Sequence, residues 1–387
     1  MWANMGYVIS DLQMKINQSI KSLCDDQLND GVFEDDKDEV FNIQKWHEVT
    51  KHGLAALPFP RDYDGLGFDM MSTVRAIRTM AYHCKDEGIV FSLCAQMAAN
   101  QVPLWMYGTN EQKEMFLKSI CQGKMIGASV ISEPNAGSDV SDLSTTVEVK
   151  EYTYILNGVK IFATLGNVAD MIIVYAKHKN GIRMLNTSAF LLKKGEYEVG
   201  QIFHKTGLRT SPMCEIILQG VEIPKDRLLG VERRGMNIFL DAMAWEKILV
   251  SAYHLGAMEQ QYEYVYQYAM RRSQFEKAII ENQSIYHKLI GMKMRIATCR
   301  DMLFRVAEKY DMRKFEKQDS AMVKLYSAQC KLKNSIDAVS IMGAYGIVQE
   351  SIVEKQMRDS LCARHYSGTN EMQERILLDT LGECYED

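Results

Sequence analysis

The chain has 387 residues, 47% of them hydrophobic, and a formal net charge of −5. That length suits one large or two to three smaller domains around a sizeable buried core. The acidic balance, with no basic run longer than Lys193–Lys194 or Arg271–Arg272, gives no footprint for nucleic acid, and no apolar run approaches the roughly 20 residues that span a bilayer.

Residues from about Ile9 to Gln122 read as helical. Leu12, Ile16, Ile20 and Leu23 recur at helical spacing. Val40–Leu57 is a second amphipathic stretch, ended by Pro58 and Pro60. Asp64-Gly65-Leu66-Gly67 reads as a turn. Met70–Tyr82 and Ile89–Tyr107 read as helices separated by the charged Lys85-Asp86-Glu87-Gly88, and Asn110 is the expected N-cap before Glu111–Ser119. His47-Glu48 and His52 echo a zinc motif, but the second histidine is one residue too far for H-E-x-x-H, so no metal site is expected.

The period changes at Gly127–Asp139, GASVISEPNAGSD. A short run of small and apolar residues reads as a strand end, and Pro134, with fixed φ and no amide donor, stops it. The small residues that follow expose backbone amides and hydroxyls able to hold carbonyl or phosphate oxygens. Val147, Val149, Tyr152, Tyr154 and Leu156 alternate as a strand does, and Asn157-Gly158 reads as a two-residue hairpin turn. Lys160–Ala163, Met171–Ala176, Ala189–Leu192 and Glu215–Leu218 read as further strands. From Met236 onward, Ile238–Tyr268, Ile285–Tyr310, Gln318–Met342 and Ile352–Cys362 read as four long helices, which argue a bundle. The predicted class is α+β: a helical domain over 1–122, a barrel-like or sandwich β-domain over 123–231 and a helical bundle over 232–387. No internal repeat or low-complexity segment interrupts this order. Nine cysteines stand singly, with no C-x-x-C pair, as reduced thiols of a cytoplasmic protein do, and no secretion signal is apparent.

Seven segments, in order, resemble those of the acyl-CoA dehydrogenases. They are DYDGLGFD at 62–69, the stretch 108–124, the SEPNAGSD loop, LNGVKIFAT at 156–164, Lys205–Arg209 followed by EIPKDRLLG at 222–230, Arg272–Phe275, and Gly368–Glu371. The resemblance implies the same three-part fold and an enzyme that desaturates an acyl thioester. A carboxylate would remove the Cα proton while Cβ gives hydride to flavin N5. It implies FAD, with Ile131 and Ser132 facing the ring, Phe162 beside it and Thr164 at its edge. Arg272, Phe275 and Gln283 would reach the FAD of a neighbouring subunit in a homotetramer. Gly343 belongs to the segment matching a G-G-N-G, and Thr369 and Glu371 would close the site. Ser138, Trp245, Arg364, His365, Tyr366, Ser367 and Gly368 are the residues expected around the acyl thioester.

The chain departs from the family pattern where the base usually stands, as the glutamate of E-G-T. Here the segment reads Tyr366-Ser367-Gly368-Thr369, and a serine hydroxyl does not titrate near neutral pH. Glu246 is the expected replacement. Met243, Leu249 and Val250 at i−3, i+3 and i+4 put it on an apolar stripe, where desolvation raises a carboxyl pKa toward that of a base for a weak carbon acid. A branch resembling isovaleryl-CoA dehydrogenases carries its base at the matching position. Ser340, Ala344-Tyr345, Leu165 and Glu276 are further departures near the expected cofactor contacts.

Arg364 and His365 precede Tyr366 where fatty-acyl enzymes have apolar or amide side chains. Buried, they would need partners. With Trp245-Glu246-Lys247 and S-G-T, the segment resembles the branch acting on aminoacyl or acyl groups tethered to carrier proteins, such as prolyl-carrier-protein dehydrogenases. The alternative pairs Arg364 with Asp359 or Glu371 and takes a small branched acyl-CoA as substrate. A non-catalytic scaffold and a flavin monooxygenase share the fold, and Glu246 disfavours both. Electron-transfer flavoprotein or oxygen is the expected acceptor, and no G-x-G-x-x-G follows a strand to suggest a nicotinamide enzyme.

Overall fold

The computed structural model describes residues 11–179 and 185–382; the expected helix start near Ile9 and the side chain of Leu12 lie outside the described residues. The first third is helical: α1 (Asp11–Leu23), α2 (Val32–Asp38), α3 (Ile43–Lys51), α4 (Met70–His83), α5 (Glu87–Ala95), α6 (Val102–Tyr107), α7 (Asn110–Gln112) and α8 (Lys118–Cys121). Side-chain caps set several starts. Asn42 caps α3 through Lys45 N–H, Asp69 caps α4 through Ser72 N–H at 2.7 Å, and Asp86 caps α5 through Gly88 and Ile89 N–H. The expected cap at Asn110 is corrected to Thr109, because Thr109 and Gln112 form a reciprocal capping box. The Gln112 amide also donates to the carbonyls of Asp226 and Leu228, at 2.7 and 2.9 Å.

Between α5 and α6 the helix widens into a π turn, Gln96–Gln101. That turn aims two amides at the strand that follows. Gln96 Oε1 accepts from Gly127 N–H at 2.9 Å, and Asn100 Nδ2 donates to Ala128 O at 2.6 Å.

The strands are β1 (Gly127–Val130), β2 (Thr146–Val149), β3 (Thr153–Thr164), β4 (Met171–His178), β5 (Thr187–Lys193), β6 (Glu198–Ile202), β7 (Met213–Pro224) and β8 (Leu228–Leu229). They order as β6-β7-β3-β2-β4-β5-β8, with β1 parallel beside β4. The expected hairpin turn at Asn157-Gly158 is corrected: β3 runs straight through it with a register shift against β7, and the chain reverses at Lys150–Thr153 instead. Gly158 is needed there for room, since a Cβ would sit 2.4 Å from Thr145 Oγ1 and 2.7 Å from Thr145 Cα.

The last third holds α9 (Gly235–Arg271), the hairpin β9 (Ser273–Gln274) and β10 (Lys277–Ala278), then α10 (Gln283–Asp311), α11 (Lys317–Met342), α12 (Ile352–Cys362) and α13 (Asn370–Leu377). α9 packs along α4 and α11, and Gly256 lets it approach α4 closely, because a Cβ would meet Arg78 O at 2.2 Å. One hydrophobic core runs from α1 through the sheet to α11, and a smaller one joins the far ends of α9, α10 and α11. Eight described cysteines are free thiols, and among the described residues no helix is long and apolar enough to cross a membrane.

Candidate active site

The loop after β1 is held from beneath by a buried ion pair. Lys160, inward on β3, reaches Glu133 at 2.7 Å and Ile131 O at 3.0 Å, with side chains 0% and 2% exposed. Glu133 also accepts from Ser144 and Thr145 N–H, at 2.5 and 3.0 Å. Burial drags the Lys160 ammonium down to about 8, against the pull of Glu133. Burial works against the Glu133 charge too, but Lys160 and its other donors outweigh it and hold the carboxyl below its usual range. The pair is therefore ionised at neutral pH; its lysine holds the Ile131 carbonyl, and the next carbonyl, Ser132 O, accepts from Ile161 N–H at 2.9 Å.

Phe162 stands next on β3, at the bulge between Lys160 and Ala163, with φ +60 and a side chain on the surface against Phe203, ring centres 5.1 Å apart. Thr164 ends the strand opposite Met213. Ser138 lies exposed in the loop itself. The structure thus brings Ile131, Ser132, Phe162 and Thr164 together at the C-terminal end of β3.

Glu246 lies in the buried middle of α9, as its apolar stripe requires; Leu249 and Val250 are fully buried and Met243 is half-buried. Ser367 Oγ donates to Glu246 Oε1 at 2.6 Å. Among the described residues Oε2 accepts no hydrogen bond. Burial raises the Glu246 carboxyl above its usual value, while Ser367 and the charges of Lys247 and Lys324 pull against that rise. Both lysines are themselves depressed by burial, Lys247 to about 8 and Lys324 to about 7. Cys94 of α5 and Tyr175 of β4 lie within electrostatic reach of the carboxylate.

The segment carrying Ser367 is clamped. Gln373 Nε2 donates to the carbonyls of Ser367, Gly368 and Thr369, and Lys324 Nζ donates to Gly368 O at 2.7 Å. Thr369 caps α13 through Met372 N–H. The Tyr366 ring lies 4.5 Å from that of Phe91, and its hydroxyl bonds His254 Nε2 at 2.6 Å. Burial pushes His254 well down, so the imidazole is neutral, and its other nitrogen meets Ser327 Oγ at 2.9 Å.

Other expected residues stand apart from this cluster. Trp245 turns away from Glu246, donating from Nε1 to Tyr310 OH at 2.8 Å and packing edge-on to Trp105 and Tyr310. The expectation that Arg364 and His365 are buried is corrected: both are exposed at the end of α12, and Arg364 lies 3.8 Å from Glu371, itself exposed. Asp359 pairs with Lys355 instead. Arg272 caps the end of α9, Phe275 is 95% exposed at the tip of the β9–β10 hairpin, and Gln283 opens α10. No hydrogen bond, ion pair or ring contact among the described residues links these three to the Ser132 loop. Gly343 ends α11 at φ +59, ψ −134, a conformation essentially confined to glycine.

Lys160, Glu133, Lys324, His254 and Gln373 were not singled out from the sequence. Lys160 carried a signal: a lysine at an inward position of an alternating strand needs a carboxylate partner. Lys324 did too, on the face of α11 shared with the buried Ala321 and Ala328. The Gln373 clamp carried none, because it depends on how the 364–369 segment folds back.

Comparisons with known proteins fit this geometry. Models of the acyl-CoA dehydrogenase N-terminal, middle and C-terminal domains match residues 10–124, 128–221 and 233–382. An L-prolyl-[peptidyl-carrier protein] dehydrogenase of Serratia sp. (strain ATCC 39006) is 33% identical over 98% of both chains. The crystal structure of the prolyl acyl carrier protein oxidase AnaB superposes with a TM-score of 0.94 at 30% identity, over 97% of this chain and 100% of that one. The structure of PigA with FAD and proline superposes with a TM-score of 0.93 at 33% identity, over 98% and 99%.

Proposed function

The chain belongs to the acyl-CoA dehydrogenase family, and from that premise we propose that it carries out FAD-dependent α,β-dehydrogenation of an acyl thioester, with a prolyl-like aminoacyl group on a carrier protein as substrate. The observation that carries this reading is the buried carboxylate of Glu246, one oxygen held by Ser367 and the other left to accept a proton.

The described residues fit FAD. Phe162 leaves 53% of its surface open beside the Ser132 loop, where a planar ring has an aromatic neighbour, exposed amides and a hydroxyl. In this reading Ile131, Ser132, Phe162 and Thr164 hold the ring side. Arg272, Phe275, Gln283 and Gly343 serve the phosphate and adenosine side across a subunit boundary, and Thr369 and Glu371 close the site. When bound, FAD supplies the acceptor for the hydride from Cβ.

Glu246 takes the Cα proton on Oε2. Its raised pKa matches it to a weakly acidic carbon, and Lys247 and Lys324 keep enough of it ionised to act. Tyr366 and Gly368 flank the acyl group and Ser138 the thioester arm. Trp245 acts only as packing behind the base. Arg364 and His365, on the surface, are available to the acidic face of an incoming carrier protein. Arg364's exposed contact with Glu371 is too weak to prevent that. The enzyme works in the cytoplasm, in keeping with its free thiols, and passes its electrons to electron-transfer flavoprotein or oxygen.

The test compares kcat/KM, read by anaerobic bleaching of the flavin, for one prolyl group on a phosphopantetheinyl carrier protein and on CoA. A preference for the carrier is expected. A strong preference for a free branched-chain acyl-CoA overturns the substrate assignment and favours the isovaleryl-type reading. Return of the yellow colour on admitting air assigns oxygen as acceptor; persistence of the bleached state assigns a protein acceptor.

A further inference from the structure

Ser367 occupies a backbone conformation that a serine adopts at a cost, φ +57, followed by Gly368 at φ +81. Such a conformation persists where the surroundings over-determine it. Here they do. Gln373 holds three successive carbonyls from Ser367 to Thr369, Lys324 holds that of Gly368, Thr369 is tied down as a helix cap, and Tyr366 is pinned by His254. The serine hydroxyl is therefore delivered to one place, and Glu246 Oε1 lies there, 2.6 Å away, in a bond buried from solvent.

We propose that Ser367 is the positioning residue of the base: its hydroxyl donates to Oε1, fixes the rotation of the carboxylate, favours its ionised form and leaves Oε2 to receive the Cα proton. The proposal rests on the reading of Glu246 as base. A donor to a carboxylate bonds the ionised form more strongly than the protonated one. Without it, Glu246 keeps the burial that raises its pKa and loses one of the groups opposing that rise.

The charged and titratable groups facing Glu246 come from four elements. Lys247 lies on its own helix, Lys324 on α11, Cys94 on α5 and Tyr175 on β4. The two lysines favour the carboxylate. Cys94 and Tyr175 are neutral in the working range, because burial pushes both well above their ordinary values. Lys324, brought down to about 7, sheds its charge near neutrality, so the acid limb of the rate is best read below that point, where both lysines are charged.

Three variants test the proposal. Ser367→Gly removes the hydroxyl and suits a positive φ, Ser367→Ala removes it and keeps the strain, and Ser367→Thr keeps a hydroxyl. The readouts are the rate of anaerobic flavin bleaching by substrate against pH, FAD content and melting temperature. Glycine and alanine are expected to move the acid limb to higher pH by about one unit, the size associated with one hydrogen bond to a charged group. Above the limb kcat should fall about tenfold with KM little changed, as an orientation loss does. Threonine should keep the wild-type limb. An unmoved limb in both the glycine and alanine variants overturns the proposal, and so does a shift in alanine alone, which assigns the effect to backbone strain. Wild-type bleaching by Glu246→Gln overturns the base itself, an outcome separate from any result at Ser367.

Discussion

A carboxylate sealed in the middle of a helix works against the fold that holds it. The folded state binds the Glu246 proton more tightly than the unfolded chain does, so its contribution to stability is present below the unfolded value of 4.5 and is lost as pH rises through the higher folded one. Glu246→Gln removes that loss. The variant should therefore melt higher than wild type at pH 8, by on the order of 1–3 °C, with the gap closing toward pH 4.5. Its flavin should bleach about 10²–10⁴-fold more slowly with substrate while FAD content holds. A variant that bleaches at the wild-type rate makes the residue structural. Lys160 presents a different case. Lys160→Met leaves Glu133 buried without its cation, which costs about 3–5 kcal/mol for a pair of this kind. Denaturant unfolding should register that loss, and FAD retention should fall with it because Ile131 O and Glu133 lose their shared donor. Unchanged stability would show that the loop does not depend on the pair.

At the scale of elements, the β9–β10 hairpin is the one most at odds with its surroundings. Its two turn residues, Phe275 and Glu276, have φ +52 and +65, where glycine or asparagine is the usual choice, and the phenylalanine is almost wholly exposed. A strained turn presenting a bare aromatic ring makes sense if the ring meets something outside this chain. Phe275→Ala should lower the FAD-to-protein ratio that survives gel filtration, and Glu276→Gly should relax the turn and leave or raise the melting temperature. Full FAD retention by Phe275→Ala would remove the hairpin from the cofactor site. Elements of this kind also mark what could be read from the sequence. The long helices and most strands followed from hydrophobic period, and Glu246 from its stripe. The Asn157-Gly158 misreading arose because an asparagine-glycine pair signals a turn locally, whereas here the glycine admits Thr145 from a neighbouring segment. The π turn at Gln96–Gln101 was illegible because nothing in its composition differs from regular helix; its reason is the pair of amides it turns toward β1. The exposure of Arg364 and His365 is not legible in the sequence, because a residue's place in a motif carries no information about its depth.

At the scale of the whole molecule, the expected assembly is a yellow homotetramer with one FAD per subunit, checked by light scattering and absorbance. A colourless monomer unable to take up added FAD would undo the cofactor reading. The single helix α9 gives that assembly a further consequence. It is 37 residues long, with Glu246 in its first half and Arg272 at its end, so about 39 Å of rod separates the base from the hairpin. If each hairpin serves a neighbour, then a subunit broken at one end of the rod is still sound at the other. Mixing Glu246→Gln subunits with Phe275→Ala subunits, by joint refolding or co-expression, should then yield hybrid oligomers in which an intact base sits opposite an intact hairpin. Such hybrids should be more active per subunit than either parent, through intersubunit complementation. Hybrids no more active than the average of their parents would mean that every active site is the property of one chain.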